Sequence, residues 1–179
     1  MISIRNRQKR HGAKIAQVNA IIFDFDGVFT DNRVTISENG DESVTCDRSD
    51  GMGIAMLRQL AIPILILSTE SNPVVTKRGE KLKVEVIQDC SNKLEALTKW
   101  VAKNNLDVAR LAFVGNDIND LACLEYAGIS VAPFDANESV QKIVDIVLTK
   151  RGGHGAIREF ADLIIQDRKA ITTRKSQEK

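Results

Sequence analysis

Residues 21–31 read Ile21-Ile22-Phe23-Asp24-Phe25-Asp26-Gly27-Val28-Phe29-Thr30-Asp31, an apolar run that ends in two carboxylates one residue apart and then a glycine. In a strand, side chains at i and i+2 point to the same face. The chain leaves strand geometry at Gly27, which lets Asp24 and Asp26 converge on one point. Two acids at the carboxyl end of a strand suggest a hard cation and a nucleophile. A polar turn closing a strand is the plainer alternative, and D-x-D-G alone does not decide between them.

The flanking sequence sets the fold class. Residues 33–46 alternate apolar and polar (Val34, Ile36, then Val44, Cys46) around Asn39-Gly40, a hairpin signal. Ser49-Asp50-Gly51 precedes Ile54, Ala55, Leu57 and Leu60 at helical spacing, with Ser49 or Asp50 as the expected cap. Buried runs follow at Ile62–Ser68, Val84–Ile87, Leu111–Val114, Ile129–Val131 and Ile146–Leu148. Between them lie helical stretches at 72–82, Ser91–Asn104, Asp120–Tyr126 and Ser139–Val144, and a last one at Ala156–Ile165 after Gly152-Gly153-His154-Gly155. Short apolar strands alternating with amphipathic helices predict an α/β fold, a doubly wound and mostly parallel Rossmann-like sheet. One domain over residues 19–167 is expected, with an inserted β-hairpin and no cap domain. A basic N-terminal extension (1–18) and a flexible basic tail (168–179) would flank it.

The whole chain narrows the function classes. Its 179 residues carry 25 Lys and Arg against 24 Asp and Glu, so no global field favours nucleic acid or an anionic membrane. The basic ends lack interleaved aromatic residues and read as solvated termini. No apolar run reaches the ~20 residues of a membrane span, and the N-terminus lacks a secretory pattern. Cys46, Cys90 and Cys123 are widely spaced and read as reduced thiols, so a cytoplasmic location is expected.

Ligands of a doubly wound sheet bind past the carboxyl ends of its strands. The polar residues there are Asp24 and Asp26; Ser68, Thr69 and Glu70; Lys93, at the start of a helix; and Asn116, Asp117, Asn119 and Asp120. Taken singly, each has a plainer reading as a cap, turn or surface charge. Together they hold a nucleophile, oxygen ligands for a magnesium ion and donors for phosphate oxygens, the requirements of phosphoryl transfer.

These motifs resemble the haloacid dehalogenase superfamily over Ile21 to about Ile165. The D-F-D-G-V-F-T-D stretch, S-D-G-M-G-I, K-R-G-E-K-L-K-V, G-N-D-I-N-D-L and the ending G-G-H-G-A-I-R-E-F are similar to its capless subgroup. That subgroup contains 3-deoxy-octulosonate 8-phosphate phosphatase, relatives acting on nonulosonate 9-phosphates, and the phosphatase-like domain of acylneuraminate cytidylyltransferases. The resemblance implies Asp24 as nucleophile and Asp26 as general acid and base. It implies Ser68, Thr69 and Lys93 as phosphate ligands, with Lys93 also holding Asp24. Magnesium would be held by Asp24, Asp26 and Asn116 or Asp117. Glu70, Arg78 and Lys81 would contact substrate or a neighbouring subunit, which favours a nonulosonate 9-phosphate over the octulosonate 8-phosphate; a charged helix face is the plainer account of the last two. The hairpin would build a homotetramer, and the glycine-rich turn would reach a neighbour's site or simply precede the last helix. Two positions depart from the pattern: Asn116 stands where the family has an acidic metal ligand, and Thr69 where it has glycine, so that its β-branched side chain would crowd the backbone's approach to phosphate if glycine-like torsions are needed there. Both keep open the alternative of a weak or inactive phosphatase-like assembly module linked to sialic-acid activation.

Overall fold

The computed structural model describes residues 14–177. The chain runs β1 (Ala20–Phe23), β2 (Thr35–Ile36), β3 (Glu42–Ser43), α1 (Arg48–Gln59), β4 (Ile64–Leu67), α2 (Val74–Leu82) and β5 (Glu85–Ile87). It continues through α3 (Lys93–Lys103), β6 (Leu111–Val114), α4 (Leu121–Tyr126), β7 (Ile129–Ala132), α5 (Glu138–Ile143), β8 (Ile146–Val147) and α6 (Ala156–Gln177). The main sheet has the order β5-β4-β1-β6-β7-β8, and every pairing in it is parallel. Ile21 lies beside Ile64 on one side and Ala112 on the other.

Strand alternation divides the apolar residues between two cores. Ile21, Phe23, Ile64, Ile66, Ala112 and Val114 face Ile54 and Leu57 of α1, Val75 of α2 and Phe160 of α6. Ala20, Ile22, Leu65, Leu67, Leu111 and Phe113 face Leu97, Trp100 and Val101 of α3, Leu124 of α4 and Val140 of α5. Strands covered on both faces need continuous apolar runs, and β1, β4, β6 and β7 are buried along their whole length. The order reverses at β1: the chain leaves it for β4 and β5, then returns to β6 on its other side. The carboxyl ends of β1, β4 and β6 therefore border one crevice, which is where Asp24 follows β1.

Four expectations change. The hairpin exists, but its paired strands are two residues each, and Val34 and Ile36 are half or more exposed. Of its alternating apolar residues, Val44 and Cys46 are partly buried against the core, while Val34 and Ile36 are left to solvent. The cap of α1 is Asp47, which accepts from Ser49 N at 2.6 Å and Ser49 Oγ at 2.7 Å. Asp50 instead points inward and is fully buried. The last helix does not stop near Ile165, so 168–177 is helix rather than a flexible tail; no Gly or Pro interrupts it. The Arg168 side chain ties it to Val18 O. Within the expected extension, Ile15 and Val18 belong to the core; residues 1–13 lie outside the described residues. No helix among the described residues is long and apolar enough to cross a membrane.

Candidate active site

Asp24 leaves β1 with its backbone N–H still bonded to Val114 O, so the strand ladder fixes where its carboxylate emerges. The carboxylate is 4 % exposed. Its Oδ1 accepts from Phe25 N at 2.6 Å and lies 2.7 Å from Lys93 Nζ. Lys93 opens α3 and reaches Asp120 Oδ1 at 2.8 Å as well. Asp120 Oδ2 in turn accepts from Asn116 N at 3.0 Å and Asp117 N at 3.4 Å. Asp120 thus ties the lysine to the turn after β6.

One ammonium therefore serves two buried carboxylates. Burial pushes the Asp24 carboxyl up to about 8, Asp120 adds to the rise, and Lys93 opposes it. Burial works against the Lys93 charge, but Asp24 and Asp120 outweigh it and hold the ammonium above the usual lysine value. Of its three N–H donors, two are taken by these carboxylates.

Asp26 is half-buried. Its carboxyl is raised above the usual range, first by burial and then by the Glu70 charge, against a hydrogen bond from Thr30. That bond, Thr30 Oγ1 to Asp26 Oδ1, is 3.4 Å; the same hydroxyl accepts from Gly27 N and Asn32 N. A carboxyl that retains its proton above the ordinary range suits a general acid.

Across the crevice, Ser68 directly follows β4. It is 1 % exposed, and its Oγ accepts from Glu70 N at 3.1 Å, which leaves the hydroxyl proton for a ligand. Thr69 is exposed and borders the same pocket as Asp24, Asp26, Asn116 and Asp117. It is not among the non-glycine residues with positive φ, so the expected crowding by a β-branched side chain does not arise.

The metal question rests on Asn116. One of its side-chain amide atoms lies 2.8 Å from Asp26 O and 3.3 Å from Asp24 Oδ2. With nitrogen there, the amide donates to both. With oxygen there, three hard oxygens converge at separations near the edge of an octahedron with magnesium-length bonds, about 2.9 Å. The set fits a small hard cation, although it has one carboxylate where a second would be usual; among the described residues no group of three or more His, Cys, Asp or Glu could hold a metal. Asp117 turns its Oδ1 to Ile118 N at 2.7 Å and caps its own turn, so Asn116 is the better-placed ligand.

Gly27 makes room for Asn116. It has φ 73°, and a Cβ there would lie 2.0 Å from an Asn116 amide atom. Gly27→Ala is therefore expected to lower unfolding free energy by about 1–3 kcal/mol, read as a shifted denaturant midpoint at unchanged slope.

The other expected residues divide. Glu70 borders a groove beside Asp26, with Asn32, Arg33, Glu42 and Asn72. Arg78 lies on α2 and donates to Asp47 O at 3.1 Å, away from the pocket around Asp24. Lys81 is exposed on the same helix. The glycine-rich turn seats on this chain's own loop after β1, with Gly153 N donating to Val28 O at 3.1 Å. Sequence reading did not assign roles to Thr30 or Asp120. Thr30 lies in the opening motif, four residues past Asp26, and Asp120 four past Asn116; both spacings were visible, but not the partners.

A doubly wound sheet with paired aspartates past its central strand, and a lysine bound to the first of them, defines a phosphohydrolase. A family model described as haloacid dehalogenase-like hydrolase matches residues 66–160. The chain is 32% identical over 156 residues to the 3-deoxy-D-manno-octulosonate 8-phosphate phosphatase of Haemophilus influenzae, covering 86% of each. It belongs to the haloacid dehalogenase-like hydrolase family. It is also 27% identical to N-acylneuraminate cytidylyltransferase A of Danio rerio, over 90% of this chain but only 38% of that longer protein. Among solved structures, the octulosonate phosphatase of Moraxella catarrhalis, in complex with a magnesium ion, a phosphate ion and KDO, superposes with a TM-score of 0.87 at 26% identity. The match covers 96% of this chain and 99% of that one.

Proposed function

We propose that this chain is a magnesium-dependent phosphatase of a phosphorylated sugar acid, acting through an aspartyl-phosphate on Asp24. The observation that carries the reading is the Asp24 carboxylate held by Lys93 and Phe25 N at the sheet's switch point, with Asp26 beside it. Asp24 attacks phosphorus; Ser68 Oγ and the third Lys93 N–H donate to the phosphoryl oxygens. As the bond to the sugar oxygen breaks, Asp26 gives that oxygen its proton. Asp26 then takes a proton from the water that cleaves the acyl phosphate. Magnesium would be held by Asp24, Asp26 O and the Asn116 side-chain oxygen, and would neutralise phosphoryl charge. The intact Asp24–Lys93 pair argues against a non-catalytic module.

The curated relatives matched over most of their length favour 3-deoxy-octulosonate 8-phosphate as the first substrate. Nonulosonate 9-phosphate is kept by Glu70 in the groove beside Asp26 and by the likeness to the acylneuraminate cytidylyltransferase, while Arg78 is engaged by Asp47 O. Phosphate release should be measured with both esters and simple sugar phosphates, with and without magnesium; no release from any of them would overturn the reading. Exposed Val34 and Ile36 supply apolar surface for a tetramer through the hairpin, which light scattering would test.

Asn116→Asp adds a charged ligand. It should tighten magnesium binding by about tenfold in calorimetric titration. Equal affinities would remove Asn116 from the ligand set.

A further inference from the structure

Asp50 is a carboxylate with 0% exposure, set on α1 and remote in sequence from every element of the phosphoryl site. Its oxygens serve the start of another helix: Oδ1 accepts from Arg158 N at 2.9 Å and Oδ2 from Gly155 N at 3.3 Å. It therefore caps α6 from outside, satisfying orphan N–H groups and meeting the positive end of the helix dipole. Burial raises its carboxyl, while the bonds from Arg158 N and Gly155 N oppose the rise.

The turn that leads into α6 is packed against the loop after β1. A Cβ on Gly152 would lie 1.9 Å from Gly27 O, and one on Gly153, at φ 64°, would lie 2.5 Å from Asp31 N. Gly153 N also donates to Val28 O. The backbone of 27–31 thus has the glycine turn as its floor. That loop carries Thr30, whose hydroxyl is bonded to Gly27 N, Asn32 N and the Asp26 carboxyl. A continuous set of contacts runs from Asp50 through Gly155 and Gly152-Gly153 to Thr30 and Asp26.

We propose that Asp50 is a positioning residue for the Asp26 acid, acting through the glycine turn that floors the loop after β1. The proposal rests on the phosphatase reading and adds to it a specific dependence: Asp50 matters where the leaving oxygen needs a proton. Asp50→Asn keeps the size but turns an amide N–H₂ toward one of two backbone donors, so one of them loses its acceptor. The carboxylate that faces the helix dipole is lost as well. The turn then no longer holds Thr30 and Asp26 in place.

The test compares an alkyl sugar phosphate, whose leaving alkoxide needs protonation, with p-nitrophenyl phosphate, whose phenolate leaves without it. In Asp50→Asn, the first-turnover rate of leaving-group release should fall about tenfold or more for the sugar phosphate, while first-turnover release of p-nitrophenolate stays within about twofold; the later hydrolysis of the acyl phosphate also uses Asp26 and slows for both esters alike. Gly152→Ala disturbs the same floor from the other side and should give the same split. A merely structural role would lower both substrates together, through the fraction folded. Equal first-turnover losses on both substrates, or no loss on either, would overturn the proposal and leave the phosphatase reading standing. A wild-type chain inactive on both esters would overturn the phosphatase reading, and the proposal with it.

Discussion

Asp24→Asn should abolish turnover, lowering kcat by about 10³-fold or more, while the protein stays folded. Asparagine keeps the Oδ1 acceptor in the same place, so the bonds from Phe25 N and Lys93 Nζ persist. What it removes is the nucleophilic anion. It also removes one of two buried carboxylates that share a single ammonium, so stability should hold or rise. Loss of activity would therefore not trace to unfolding. Acid-quenched wild type should yield a phosphorylated peptide containing Asp24, and the variant should yield none. Turnover that survives the substitution would remove Asp24 from the nucleophile role.

The layering of this molecule was readable in its apolar runs. Short blocks such as Ile62–Ser68 are too short for a helix and too continuous for a half-exposed strand, so a buried parallel sheet was the remaining choice, and the strand occupies Ile64–Leu67 of that block. Once the strands are placed, the switch point selects Asp24, Ser68 and the turn at Gly115 as neighbours. Side-chain direction was not readable. Ser49, Asp50 and Asp47 are all able to cap α1; which one does depends on where the chain enters the helix, and that freed Asp50 to serve α6. Arg78 and Lys81 share a helix with a basic stripe, but rotation of that helix turned Arg78 toward the first turn of α1. Thr69 looked costly only on the assumption of a glycine-like torsion, which its backbone does not adopt. Asp120 joins Lys93 from 27 positions along the chain, a pairing that no local pattern encodes.

That pairing sets the second large effect. Lys93→Met fills the same space without the ammonium and leaves Asp24 and Asp120 as buried carboxylates, 4 % and 0 % exposed, with only backbone donors. Removing one partner of a buried ionic group costs about 3–5 kcal/mol. The cost should depend on pH. Burial already raises Asp24 from 3.8 to about 8, Asp120 raises it further, and Lys93 is what opposes the rise. Without the lysine the folded-state value goes higher still, so the variant must hold a proton that the unfolded chain releases above about pH 4. A raised folded-state carboxyl gives stability that is present below its unfolded value and lost as pH rises through its folded one. The deficit against wild type should stay level from about pH 4 to 7, where both folded proteins keep the Asp24 proton, and should grow above about pH 8, where wild type releases it and the variant does not; urea unfolding at about pH 7 and pH 9 measures it. Activity should fall by about 10²-fold or more at every pH, because the ammonium proposed to meet the phosphoryl oxygen is gone as well. A deficit equal at both pH values would mean that Lys93 acts by packing alone. Loss of stability without loss of turnover would detach it from the phosphate. The two measurements together separate the lysine's role in holding Asp24 from its role in receiving the substrate.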